Sequence, residues 1–160
     1  MSAVAENVTI DISIESPLWN DLDCETTVRR AVAAAAAPDE AQGELSVLLT
    51  DDDAIRVLNA QWRHKDEPTN VLSFPAAHAG NIGPRPLGDI VIAYETTARE
   101  AAAEHKQLDH HLAHLTVHGF LHLLGYDHES EADAETMERL EREILARLDI
   151  ADPYATRDEG

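Results

Sequence analysis

Apolar residues alternate with polar ones in the first part of this chain and recur with a helical period after about Thr96. That switch constrains the fold more than any other feature. Alternation suits a half-buried strand, and a period of about 3.6 residues suits a helix face. Val8, Ile10, Ile12 and Ile14 predict a first strand. Asp21 or Asp23 then caps a helix that runs through Val28 and Val32 into an alanine run and stops at Pro38. High helix propensity accounts for the alanines. Leu45, Val47 and Leu49 form a second strand, and Thr50 with Asp51, Asp52 and Asp53 opens a helix with acids at its positive end. Ile55, Leu58 and Trp62 give that helix its apolar face. A polar loop (63–70), a short strand (71–74) stopped by Pro75, a surface loop (76–86) and a buried strand (88–93) follow. The remainder is helical. One helix ends near His105, a second covers about 107–124 and is closed by Gly125, and a third starts at Ser130 and carries Met137, Leu140, Ile144 and Leu148 on one face. The expectation is an α+β fold: one domain over 1–150, with a mixed four-stranded sheet packed with helices. Residues 151–160 read as a mobile acidic tail.

Composition excludes several classes. The N-terminus lacks a basic segment followed by an apolar run, so no secretory signal is expected, and the longest apolar stretch is too short to span a membrane. A single cysteine, Cys24, rules out an internal disulfide and suits a reducing cytoplasm, where it reads as a small buried or half-buried residue. The net charge of −19 should repel nucleic acid on average. The charge is uneven, however. Residues 56–99 carry Arg56, Arg63, Lys65, Arg85 and Arg99 against Asp66, Glu67, Asp89 and Glu95, a net of +1, which leaves −20 elsewhere. An anionic partner should therefore meet the middle of the chain.

Six of the nine histidines fall between His105 and His122, and His128 follows. His110, His114, His118 and His122 recur every four residues, one helical turn apart. Two imidazoles at that spacing can hold one zinc ion, and a chain that turns back at Gly125 can bring His128 in as a third ligand. The pair His114 and His118 fits the same spacing, with its third ligand far away in sequence. In the first register, His110 and His114 are supporting or solvent-facing residues. Three nitrogen ligands leave one position open to water, whose pKa zinc lowers to about 7, which is the pattern of a catalytic site. In helical zinc proteases a glutamate follows the first histidine as general base. Here Gly119 stands in that place, which disfavours a zinc peptidase and leaves room for substrate or a packed strand.

The run His118-Gly119-Phe120-Leu121-His122-Leu123-Leu124-Gly125-Tyr126-Asp127-His128 closely resembles the signature of the YbeY family of bacterial rRNA maturation endoribonucleases. A second block, Leu58-Asn59-Ala60-Gln61-Trp62-Arg63-His64-Lys65-Asp66 followed by Pro68-Thr69-Asn70-Val71-Leu72-Ser73-Phe74-Pro75, resembles that family's other signature. Gly88-Asp89-Ile90 is similar to a third, shorter element. The resemblance covers 58–128 and the helix after it, whereas the first part of the chain agrees in pattern only. It implies a cytoplasmic, zinc-dependent endoribonuclease that acts on single-stranded RNA. The family acts in maturing the 3′ end of small-subunit rRNA and in ribosome quality control.

It also implies His118, His122 and His128 as zinc ligands, one ion per chain, and Arg63 as a required residue. Arg63 and His118 are then the catalytic residues. Arg63 clamps the scissile phosphate, because a guanidinium presents paired donors that match phosphate oxygens. The attacking group is a water or a ribose 2′-hydroxyl. Lys65 and Arg85 are candidates for flanking phosphates, and Asn70 and Ser73 for hydrogen bonds to RNA. Asn70 equally suits the turn before a strand. Asp127 is a candidate acceptor for a ligand histidine or a turn former. Trp62 and Tyr126 are expected in the core rather than stacked on bases. The expected partners are an rRNA precursor and the small ribosomal subunit, or a protein bound to it. The competing class is a ribosome-assembly factor that binds RNA with a structural zinc.

Overall fold

The structure, a computed structural model, describes residues 8–76 and 86–154. Strand β1 (Val8–Ile14) leads through a 3₁₀ turn (Pro17–Asp21) into helix α1 (Cys24–Ala36). Strand β2 (Gly43–Thr50), helix α2 (Asp52–Arg63) and strands β3 (Val71–Pro75) and β4 (Pro86–Ala93) follow. Helices α3 (Tyr94–Ala103), α4 (Leu108–Leu123) and α5 (Glu131–Arg147) complete the domain. The sheet is mixed and four-stranded, in the order β1-β2-β4-β3. β1, β2 and β4 are parallel, and β3 runs antiparallel to β4. This is the α+β arrangement expected from the switch in period. No helix among the described residues is long and apolar enough to cross a membrane.

Alternation along the strands sorts the core into two layers. Leu45, Val47, Leu49, Ile90 and Ile92 point into the main core with α1, α4 and α5. Their neighbours Leu72 and Val91 face the other way, beneath Ile55 of α2. β4 is thus covered on both sides, which explains its unbroken apolar run. The alanine run does more than favour a helix. Ala31, Ala35 and Ala36 are buried in the main core, and α1 packs on α4. α4 is the central helix, buried over most of its circumference, with Leu112, Val117, Phe120 and Leu121 inside.

The caps agree with the sequence. Asp23 caps α1, Asp51 accepts from the Ala54 amide at 2.9 Å to cap α2, and Ser130 accepts from the Asp133 amide to cap α5. Cys24 is buried.

Several expectations need correction. Trp62 is not in the core: it is 61% exposed and meets Phe74 edge-on at 6.0 Å, because it lies in the last turn of α2 against the edge strand β3. Tyr126, by contrast, packs half-buried against the core as expected, and its hydroxyl donates to Asp39 Oδ2 at 3.0 Å. The large indole of the core is Trp19, within the 3₁₀ turn that periodicity alone misses. It is fully buried, donates to the Thr50 carbonyl at 2.8 Å and packs edge-on against Tyr94. The local signal for this turn is Ser16-Pro17, an N-cap hydroxyl followed by a proline at the first helical position. Of the segment read as a tail, 151–154 are described, and Pro153 there is buried. Residues 155–160, like Arg85 and most of the loop at 76–86, lie outside the described residues.

Candidate metal centre and its cleft

His118 and His122 project from α4, and the chain then reverses at Gly125. Gly125 has φ +108°, and a Cβ there would meet nothing within 4 Å. The glycine is therefore needed for its backbone conformation and not for lack of space. The reversal brings His128 back over the helix end. One ring nitrogen from each of His118, His122 and His128 lies within 4.8 Å of the other two. Ring centroids are 4.6 Å apart for His118 and His122, 5.2 Å for His122 and His128, and 5.9 Å for His118 and His128.

The set fits a zinc ion. Tetrahedral zinc with bonds of about 2.0–2.1 Å places pairs of nitrogens roughly 3.3 Å apart. The Nε2 atoms of His118 and His122 face each other at 3.1 Å. His118 donates its other nitrogen, Nδ1, to Glu141 Oε2 at 2.7 Å, which leaves Nε2 with a free lone pair. His122 is hydrogen-bonded to the Tyr126 backbone, and burial, followed by the charges of His118 and His128, pushes its pKa below the ordinary value. The shift favours the neutral form, which a metal ligand must take.

The triad lines a cleft of about 390 Å³. Arg63, Thr69, Asn70, Ser73 and Pro75 line the same cleft. Arg63 is the last residue of α2. His64 follows in the left-handed conformation and closes the helix, with its amide bonded to the Ala60 carbonyl. Asn59, buried within α2, donates to the Glu67 carbonyl at 2.8 Å and pins the loop that carries Thr69 and Asn70. Arg63 itself is exposed and has no hydrogen-bond or ion-pair partner among the described residues.

The other candidates are distributed as follows. Ser73 lines the cleft but donates to the Gly119 carbonyl at 3.3 Å. Asn70 lines it too, with its amide nitrogen given to Glu100 and its Oδ1 accepting from the Val71 amide. Lys65 is exposed beyond α2 and does not line the cleft. Gly119 makes room for a packed strand: a Cβ there would lie 3.1 Å from both Ile90 Cγ2 and Ser73 Oγ. Asp127 shapes the turn, accepting from the Glu129 amide, and takes no ligand histidine.

The acceptor for His118 is instead Glu141, which sequence reasoning missed. It is 1% exposed and also accepts from His114 Nε2 at 2.8 Å and from the Tyr154 hydroxyl. Burial raises the Glu141 carboxyl, but the hydrogen bonds and charges of His114 and His118 outweigh it and hold it at about 2. His110 lies apart, in a small hollow with Thr27, Arg30 and Asp109.

Comparison with known proteins agrees with this geometry. The profile of the family described as Endoribonuclease YbeY matches residues 10–149. A Rhodopseudomonas palustris protein named Endoribonuclease YbeY is 54% identical over 160 residues, covering 92% of this chain and 82% of the relative. A Bradyrhizobium protein of the same name is 55% identical, covering 94% of each. The solution structure of a Thermotoga maritima protein shares the fold at 24% identity, with a TM-score of 0.55 over 91% of this chain and 99% of that one. By its matched profile and by the identity of relatives along nearly its whole length, the chain belongs to the endoribonuclease YbeY family.

Proposed function

We propose that this protein is a zinc-dependent endoribonuclease that cuts single-stranded RNA. The observation that carries the reading is the cleft itself: three convergent histidine nitrogens and an arginine unpaired among the described residues line one cavity. His118, His122 and His128 hold the ion, and zinc bound there supplies a Lewis acid at the scissile phosphate. Arg63 binds two phosphate oxygens and stabilises the charge that accumulates on them. Asn70 and Ser73 shape the wall against which the strand lies, and Lys65 and Arg85 hold flanking phosphates. The substrate is the precursor of the small-subunit rRNA, matured at its 3′ end in the cytoplasm, and the same cleavage serves ribosome quality control. The relatives' shared name supports RNA as the substrate class. The small subunit, or a protein bound to it, brings the enzyme to that RNA.

The test is metal content alongside cleavage of a single-stranded RNA. Wild type should carry about one zinc per chain. His122→Ala should lose stoichiometric zinc, whereas His110→Ala should keep it. Arg63→Ala should keep zinc and fold yet cut at least about a hundredfold more slowly. Arg63→Lys should recover only part of that loss, since an ammonium cannot bind two oxygens at once. Full zinc in His122→Ala, or wild-type cleavage by Arg63→Ala, would overturn these roles. Chelation separates a catalytic from a structural ion: loss of cleavage with the fold intact supports the enzyme, and unfolding supports the assembly factor.

A further inference from the structure

Glu141 lies between Met137 and Leu145 on the buried face of α5, a place where an aliphatic residue would pack. A carboxylate survives there only if its oxygens are satisfied. Oε2 accepts from His118 Nδ1 at 2.7 Å, and Oε1 accepts from His114 Nε2 at 2.8 Å and from the Tyr154 hydroxyl. Tyr154 is itself held in place. Pro153 before it is buried, and its carbonyl accepts from Lys106 Nζ at 3.3 Å. The Arg142 guanidinium covers the Tyr154 ring at 5.7 Å, and the ring meets His114 edge-on. Of the three candidate ligands, His118 alone is tied to a carboxylate among the described residues: His122 is tied to backbone, and His128 is exposed.

We propose that Glu141, steadied by Tyr154, is the positioning residue of the metal centre. It fixes His118 with its proton on Nδ1 and aims the Nε2 lone pair into the triad. The segment after α5 is therefore part of the active-site architecture, although it touches neither metal nor substrate. This inference rests on the zinc reading. Its geometric basis is that the nitrogen left free on His118 is the one that faces His122 at 3.1 Å.

The experiment measures zinc affinity by chelator competition and the visible spectrum of the cobalt-substituted protein, on the full chain. Glu141→Gln has one acceptor where Glu141 has two, so it cannot serve His118 and His114 together. It should fold, bind zinc about 10–100-fold more weakly and shift the cobalt bands. Glu141→Asp keeps the charge at shorter reach and should recover part of the affinity. Tyr154→Phe, which leaves the carboxylate in place, should weaken binding by up to about tenfold. Unchanged zinc affinity and cobalt spectra in both Glu141→Gln and Tyr154→Phe would overturn the proposal, even with lower melting temperatures, because Glu141 would then serve stability alone. If Glu141→Gln does not fold, Tyr154→Phe decides by the same two measurements. A wild type that takes up no zinc would sink the metal reading itself, a separate result.

Discussion

Glu100 accepts from His111 Nε2 at 2.8 Å and from Asn70 Nδ2 at 3.0 Å, and so ties α3 to α4 and to the start of β3. Burial alone would raise its carboxyl. The hydrogen bonds from His111 and Asn70, with the charges of His111 and His114, outweigh that and hold it below the ordinary range. A carboxyl whose folded pKa is depressed is protonated more readily in the unfolded chain. Its stabilising contribution is thus complete above about pH 4.3, the ordinary glutamate value, and drains away as acid protonates the folded form below that. Denaturant melts at pH 6 and pH 3.5 should therefore show a larger loss on acidification for wild type than for Glu100→Gln. Equal losses would show that the carboxylate is not paired in the folded protein. At this scale the candidate ligands are legible and the carboxylate bound to one of them is not. His118, His122 and His128 stand out through helical spacing and the turn at Gly125, although His114 with His118 fits that spacing as well. Glu141 lies 23 residues from His118 on another helix and is one of 31 acidic residues, so no local pattern distinguishes it. The sequence leaves Asp127, beside His128, open to two roles, histidine acceptor or turn former, and its carboxylate serves the turn.

Elements were readable wherever one face meets the core. Strands, caps and helix ends followed from alternation, side-chain acceptors and Gly125. The order of the strands did not, because β2, β3 and β4 all carry apolar residues and pairing depends on contacts far apart in sequence. The histidine stripe shows a second limit. Four residues exceed one helical turn by about 40°, so a stripe at that spacing winds around the helix. His114 still reaches Glu141, but His110 has rotated into the hollow beside α1. The pairing of β3 with β4 holds the cleft residues Ser73 and Pro75 and sets Gly88, at φ +139°, opposite Pro75. A Cβ there would sit 2.3 Å from the Phe74 carbonyl oxygen and 2.9 Å from Leu123 Cδ2. Gly88→Ala should cost at least the roughly 1–3 kcal/mol typical of overpacking, plus backbone strain. Gly119→Ala, with its nearest contacts at 3.1 Å, should cost less. Chemical denaturation of the two variants tests the order, and a milder Gly88→Ala would contradict it.

Across the whole molecule, the near-neutral middle of the sequence turns out poorer in free cations than its composition suggests. Arg56 is paired with Asp66 at 2.8 Å and Arg99 with Asp52 at 3.1 Å, which leaves Arg63 and Lys65 as its unpaired cations among the described residues. With a net charge of −19, RNA binding should be weak and should fall only gently with salt, by the slope of a few phosphate contacts. Lys65→Glu combined with Arg85→Glu should weaken it further. Binding of single-stranded RNA across a salt series is the measurement, and a charge-reversed protein that binds and cuts like wild type would place the RNA elsewhere. The distribution of Glu141 and Tyr154 along the chain has one more consequence. Translation delivers the three histidines before the groups that steady one of them. At about 5–20 residues per second, the interval between His128 and Tyr154 is on the order of seconds. A growing chain thus carries the three histidines before it carries the carboxylate and the hydroxyl that align one of them.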